Sequence, residues 1–253
     1  MPGRAPAEPG SARLVLGIQP VREAVRRHGS ALREVLIEDR ATPKLEALAR
    51  FATDQGVERL RRVPRSDLDR HARGVAHQGA AAFAPDLTLV RLEELAADPH
   101  LQAIVLDGIE DPQNFGAVVR SAVALGGAAV LWGEHASAPL TPATFRASAG
   151  AIEHARLCRV HSLTGALGML RERGVTIVGL DGSATERLSE IDLTGPSVLV
   201  LGGEGEGLGR AVRRACSSIA TLGRSAGVDS LNASVAAGIA LYELSNQRAK
   251  SKA

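Results

Sequence analysis

The stretch from Ala103 to Gly127 constrains the fold more than any other part of the chain. An apolar run, Ala103-Ile104-Val105-Leu106, stops at Asp107-Gly108 and gives way to a polar loop containing Asp111-Pro112. Phe115, Val118, Val119, Ala122 and Val123 then recur at helical spacing up to Gly126-Gly127. Strand, loop and glycine-closed helix are the ingredients of an α/β ligand site. Asn114 and Arg120 lie about one and two-thirds turns apart on that helix, at roughly 3.6 residues per turn, so their side chains leave in different directions. Taken alone, these residues read as a capped helix with a surface arginine.

The same alternation runs along the whole chain. In the front half, Leu14–Ile18, Val35–Ile37, Val57–Val63 and Ala80–Phe83 read as strands, with helices after Pro20 and around Leu45–Ala52. From Leu101 onward the strands are Ala128–Trp132, Val175–Leu180, Ser197–Leu201 and Ile219–Leu222. Thr141 and Ser162 stand where helix caps belong, and a last helix runs from Ser230 to about Arg248, with Ser230 or Asp229 as its cap. Largely apolar strands between helices argue for an open, mostly parallel sheet covered by helices. The boundaries read as a disordered tail over 1–13, a compact front domain over 14–84, a linker over 85–100 and a larger domain over 101–249.

Formal net charge is only +2, yet Lys44, Lys250 and Lys252 are the only lysines, so nearly all positive charge is arginine. Guanidinium groups match phosphate and stack on bases, which permits an RNA partner without demanding one. The front-domain series Arg59, Arg61, Arg62, Arg65, Arg70 and Arg73 is either an RNA face or a solvated charged surface. Cys158 and Cys216 have neither CxxC spacing nor paired histidines, which argues against a zinc site or a disulfide scaffold and for a reducing cytoplasm. No apolar run approaches the ~20 residues of a membrane span.

Two further stretches hold chemistry. Leu201-Gly-Gly-Glu-Gly-Glu-Gly-Leu-Gly209 follows a buried strand, and its glycines let backbone approach a ligand closely. Neither GxGxxG nor a Walker lysine is present, and Glu204 and Glu206 would repel a pyrophosphate. A cationic, hydroxyl-rich or base-containing ligand suits the loop better. The other stretch, Leu222 to Ala236, gathers Ser230, Asn232 and Ser234 at a helix start, more short polar residues than capping requires.

Together, Asn114-x5-Arg120, Gly202-x-Glu204-x-x-Gly207 and Ser230-Leu-Asn-x-Ser234 resemble the three ordered motifs of SpoU-type RNA ribose 2′-O-methyltransferases. The front half resembles the small ribosomal-protein-like RNA-binding domain of the RlmB branch, through Leu16-Gly17-Ile18 with Pro20-Val21, and through Ala76-His77-Gln78-Gly79. The resemblance implies a C-terminal α/β SPOUT domain with a trefoil knot and a homodimer whose sites borrow residues from the partner. S-adenosylmethionine would be the cofactor, no metal is implied, and the RNA would be a 23S rRNA guanosine. By position, Gly202, Leu222 and Leu231 would contact the cofactor through backbone. Arg120 and Asn114 would be catalytic or RNA-facing, with Glu204, Ser230 and Asn232 beside them.

Arg120 would either take the hydroxyl proton or clamp an RNA phosphate; a guanidinium normally stays charged, which favours the clamp. Where the family carries proline and methionine after the aliphatic residue at Leu222, this chain has Gly223 and Arg224. The alternatives are a tRNA or antibiotic-resistance rRNA 2′-O-methyltransferase, or a non-catalytic RNA-binding homologue.

Overall fold

The computed structural model describes residues 12–40, 42–135, 140–203, 205, 207–223 and 231–251. In the front half these form β1 (Arg13–Leu16), α1 (Ile18–His28), β2 (Glu34–Glu38), α2 (Pro43–Asp54), β3 (Leu60–Val63), α3 (Arg65–Ala72) and β4 (Ala80–Ala84). Then come α4 (Leu92–Ala96), β5 (Gln102–Asp107), α5 (Pro112–Ala124), β6 (Ala129–Gly133), α6 (Pro142–Ala147) and β7 (Leu157–Val160). The chain continues through α7 (Leu163–Glu172), β8 (Thr176–Leu180), β9 (Ser197–Gly202), α8 (Arg210–Ala215), β10 (Ser218–Ala220) and α9 (Ala233–Ser251). The described residues fall into two compact units. One holds those up to Thr88 together with Leu140–Glu153; the other holds the rest.

In the first unit a four-stranded sheet has the order β1-β4-β2-β3, in which only β2 and β3 pair in parallel. One face is closed by α1 and α2, which bury Val21, Ala24, Val25, Leu45 and Leu48 against Val15, Val35, Ile37 and Ala82. On the other face the shorter α3 covers Leu16, Leu36, Val63 and Ala81 with Leu68 and Ala72. β1 stops at Leu16, short of the expected Ile18, because Gly17 turns at φ +104 and its carbonyl accepts the first helical N–H, from Val21. The two stretches that resemble the RlmB front domain meet there: Gln78 Oε1 accepts the Ile18 N–H at 3.2 Å, and the Gly17 N–H reaches Ala80 O at 3.0 Å. His77 is buried, accepting the Gly79 N–H on Nδ1 at 3.0 Å, with Nε2 2.9 Å from Asp69, so it has a structural role. The expected tail lies outside the described residues as far as residue 11.

Helix α6 belongs to this unit through its packing on β1. Just beyond it, the fully buried carboxylate of Glu153 is bound by both guanidinium ends of Arg13 and lies 3.0 Å from His28 Nε2. Burial raises the Glu153 pKa, but the hydrogen bonds from His28 and Arg13 outweigh it and the net shift is downward. Arg13 also lies over the Phe145 ring at 5.1 Å. Thr141 does not cap α6 through its side chain; its hydroxyl sits 3.5 Å from that of Thr144.

The second unit is built on a six-stranded sheet, β10-β8-β9-β5-β6-β7, parallel at every pairing. Its central strands β9 and β5 are apolar and buried on both faces, as a parallel sheet requires. Helix α5 is fixed by Phe115, which meets Trp132 of β6 edge-on at 5.3 Å. Helix α9 returns from the sheet edge at β10 to pack on α5, β5 and β9 near its centre. The segment 224–230, through which the expected trefoil would be threaded, lies outside the described residues. Among the described residues no helix is long and apolar enough to cross a membrane.

Candidate active site

The parallel register brings several strand ends level at the C-terminal edge of the large sheet. Asp107 pairs with Gly202, while Leu201, Leu180 and Ala220 lie side by side across β9, β8 and β10. The next residues, Asp181 and Thr221, therefore share that edge, where open α/β sheets place their ligands.

Gly202 opens a loop that folds back on itself. A Cβ there would overlap the Gly207 carbonyl group and the Leu208 nitrogen, and one on Gly203 would come within 2.6 Å of Gly108 O. The Gly207 N–H closes the turn onto Gly203 O at 3.1 Å, and Asp107 Oδ2 accepts the Gly209 N–H at 2.8 Å. Glycine is thus required at 202 and 203 by close backbone approach. Glu204 and Glu206 lie outside the described residues.

The first turn of α5 is capped by Asp111, which accepts the N–H groups of Gln113 and Asn114 at 3.1 Å each, with Pro112 at the first helical position. Asn114 is buried, and its Oδ1 accepts from Asn232 Nδ2 at 3.1 Å. Asn232 also caps α9: its Oδ1 accepts the Ser234 N–H at 3.0 Å, the Ser234 hydroxyl at 2.7 Å and the Val235 N–H at 3.3 Å. The cap expected at Ser230 or Asp229 is therefore corrected to Asn232, whose side chain reaches back over the first turn. Asp229 and Ser230 lie outside the described residues.

Asn114 and Asn232 are thus brought together across 118 residues of sequence. Arg120 is not joined to them; it is exposed on α5, and its side chain has no hydrogen-bond or ion-pair partner among the described residues. Leu222 is half-buried just beyond β10, where the Thr221 hydroxyl donates to Gly223 O at 2.9 Å and accepts the Gly223 N–H at 3.2 Å. Leu231 is 52 % exposed.

Sequence reasoning missed Asp107, Asp181 and Thr221 as parts of this edge. A signal was present, since Leu106-Asp107 and Leu180-Asp181 both end an apolar run in aspartate. Asp181 receives the Ser183 hydroxyl at 2.6 Å and pairs with Arg213. The Ser183 hydrogen bond is the largest influence, and with the Ser183 N–H and Arg213 it outweighs burial to hold the carboxyl below its ordinary range. Both thiols are pushed up to about 11 by burial, so neither Cys158 nor Cys216 supplies a thiolate. Glu134, His135 and His161 are exposed and close together at the ends of β6 and β7, with ligand atoms within 4.8 Å of one another.

The edge offers backbone amides and carbonyls held by glycines, flanked by carboxylates. Such a set fits a ligand carrying hydroxyls and positive charge better than a pyrophosphate.

Comparison with known proteins bears on both units. The profile of the SpoU rRNA Methylase family matches residues 102–242, and that for RNA 2′-O ribose methyltransferase substrate binding matches residues 14–89. A protein of Mycolicibacterium smegmatis described as an uncharacterized tRNA/rRNA methyltransferase is 38% identical over 97% of this chain and 80% of its own length. One from Mycolicibacterium vanbaalenii with the same description is 39% identical over 93% and 76%. Among solved structures, an RNA 2′-O ribose methyltransferase superposes with a TM-score of 0.78 at 27% identity, covering 93% of this chain and 88% of the other. The SpoU methyltransferase AviRb of Streptomyces viridochromogenes, solved in complex with AdoMet, has the same fold, with a TM-score of 0.76 at 24% identity over 95% and 92%. With its glycine loop, its asparagine bridge and a family match across more than half its length, this chain belongs to the SpoU rRNA Methylase family.

Proposed function

We propose that the chain transfers a methyl group from S-adenosylmethionine to the ribose 2′-oxygen of a structured RNA, a 23S rRNA guanosine being the substrate its RlmB-like front half favours. The observation that carries this reading is the Asn232–Asn114 hydrogen bond, which joins the first and third motifs at the start of α5. A solved relative named as an RNA 2′-O ribose methyltransferase supports the ribose oxygen as acceptor. The AdoMet complex of AviRb supports the donor.

When bound, S-adenosylmethionine would supply a sulfonium methyl carbon to an in-line ribose oxygen, with the S–CH3 bond breaking and the neutral thioether leaving. Gly202, Leu222 and Leu231 present backbone to it, and the close packing at Gly202 leaves no side chain in the way. Asn114 and Asn232 orient the first turn of α5, and the motif resemblance adds Glu204 and Ser230, both outside the described residues, to the catalytic set. Arg120 clamps an RNA phosphate and stabilises charge developing on the 2′-oxygen, while proton loss comes late in the step. The 14–84 domain delivers the RNA to the 101–249 domain. The exposed apolar residues at the start of α9 belong to a homodimer interface, which brings partner residues to each site. A tRNA or rRNA substrate puts the enzyme in the cytoplasm.

Mapping 2′-O-methyl groups in rRNA and tRNA with and without the gene identifies the substrate. Replacing Arg120 by Ala should lower methyl transfer at least ~100-fold with an unchanged melting temperature, the scale of losing one transition-state contact. A kcat–pH profile that keeps its shape supports the clamp, and one that loses a limb supports the base.

The non-catalytic reading rests on Gly223 and Arg224, which stand where the family carries proline and methionine; among the described residues no atom comes within 4 Å of a Cβ placed on Gly223. Calorimetric titration with S-adenosylmethionine separates the two. A chain that takes up no cofactor is a binding protein only.

A further inference from the structure

On the second face of the front sheet a groove lies beside the covering helix. Helix α3 lies over Leu36, Val63 and Ala81, and beyond it a groove of about 400 Å³ remains. Leu36, Val63 and Phe83 give it apolar surface, Arg33, Arg61 and His71 supply exposed polar groups, and the two carboxylates that also line it, Glu34 and Asp67, are paired with Arg61 and Arg70. The Phe83 ring is half-buried and meets His71 edge-on at 5.3 Å. With four phenylalanines, one tryptophan and one tyrosine in the whole chain, an aromatic ring left on an open sheet face is conspicuous.

Most of the arginine series over 59–73 is already committed. Arg61 binds Glu34 at 3.2 Å, Arg62 binds both oxygens of Glu46 at 2.8 Å, Arg70 binds Asp67 at 2.5 Å, and Arg65 lies within 4.0 Å of Glu38 and Asp69. Two guanidinium groups beside the groove are not committed. Arg33 directly precedes β2, with its N–H on Phe83 O at 2.9 Å, and its side chain has no partner among the described residues. Arg59 is equally unpaired, and continuing the β2–β3 register one step places it beside Glu34, which pairs with Phe83.

An open ring with neighbouring unpaired guanidinium groups matches single-stranded RNA, whose bases stack on aromatic faces while arginine holds the backbone. We propose that this groove is a subsite for an unpaired base of the RNA substrate, stacked on Phe83 with its phosphate held by Arg33 and Arg59. The proposal rests on the reading that the chain acts on RNA. It places recognition in the groove beside α3 and not on the paired arginines.

The test uses the full chain and a fluorescein-labelled, unstructured RNA octamer, with 5-iodouridine placed at successive positions. Irradiation should crosslink the RNA to the peptide carrying Phe83 or to that carrying His71. Replacing Phe83 by Leu keeps an apolar side chain and should weaken binding at least ~5-fold with little change in salt slope. Replacing exposed Arg33 by Gln should lower the slope of log K against log salt by about 0.7, the value for one phosphate contact on a single strand. Crosslinks confined to other peptides, or wild-type affinity in both variants, would overturn the subsite. Methyl transfer to rRNA and tRNA by the wild type is assayed alongside. If it proceeds while the variants bind normally, the groove fails alone; if no RNA is methylated or bound, the parent reading fails and takes the groove with it.

Discussion

At position 202 the α-carbon is pressed against the returning chain, where a methyl group would collide with the Gly207 carbonyl group and Leu208 N. Both obstacles are backbone, so they cannot rotate aside as a long side chain would. Gly202→Ala should therefore displace the loop 203–209, at a cost of about 1–3 kcal/mol typical of overpacking. A melting-temperature drop of several degrees, with calorimetric loss of S-adenosylmethionine uptake, would check this; a variant that melts and binds like the wild type would sink the loop's assigned role. Glycine at 202 was legible in the sequence as a loop residue, but the reason for it was not. That reason lies five residues further on, in the returning backbone of Gly207 and Leu208. Asn232 shows the same limit. Its place in the third motif was readable, whereas its double duty as helix cap and partner of Asn114 needs both helix starts in one place. Arg120 reads as a surface arginine from its own stretch and as catalytic or RNA-facing only through the motif resemblance, and it is exposed and unpaired among the described residues.

Elements were more legible than contacts, because burial on one or both faces imposes a period on each segment. The strand expected over Val57–Val63 is shorter for a local reason. Gly56 turns at φ +77, and the Val57 N–H bonds back to Ala52 O, so Val57 closes α2 and only Leu60–Val63 enters the sheet. Helix α9 is legible from its apolar spacing, but its anchor is not. Arg248, near its end, is buried and donates from Nε to Leu193 O at 3.1 Å and from its other nitrogens to His100 O and Leu101 O at 2.9 Å and to Gly195 O. One side chain thus satisfies four carbonyls in two separate loops, a convergence that no periodicity encodes. Burial lowers the Arg248 pKa, and the charge of Asp98 opposes that shift. Arg248→Ala removes four hydrogen bonds, with Ser197 still donating to Leu101 O, Leu193 O and Gly195 O, and should cost about 2–4 kcal/mol of stability, with Arg248→Lys recovering a part. Urea unfolding midpoints would show it, and a midpoint within error of wild type would remove Arg248 from the structural role.

On the scale of the whole molecule, α9 is apolar on two sides. Ala237, Ala240, Leu241 and Leu244 face inward, while Leu231, Val235, Ile239 and Tyr242 are 43 to 60 % exposed at helical spacing. A contiguous exposed apolar stripe on a helix calls for a cover, and the proposed homodimer provides it. Val235→Glu with Tyr242→Glu should convert the dimer to a monomer by light scattering and reduce methyl transfer, because the stripe begins next to Asn232. A wild type with the mass of a single chain would refute the dimer. A different consequence concerns synthesis. The front unit includes Leu140–Glu153, and the buried carboxylate that meets Arg13 and His28 comes last in that segment. A chain leaving the ribosome has made β1 to β4 long before it has made Glu153. The front sheet therefore waits, lacking α6 and with Arg13 lacking its carboxylate, while β5, α5 and β6 are translated. Its final packing can form only after that part of the neighbouring unit has emerged, so the two units mature as interleaved steps of one folding reaction and not as one finished domain followed by another.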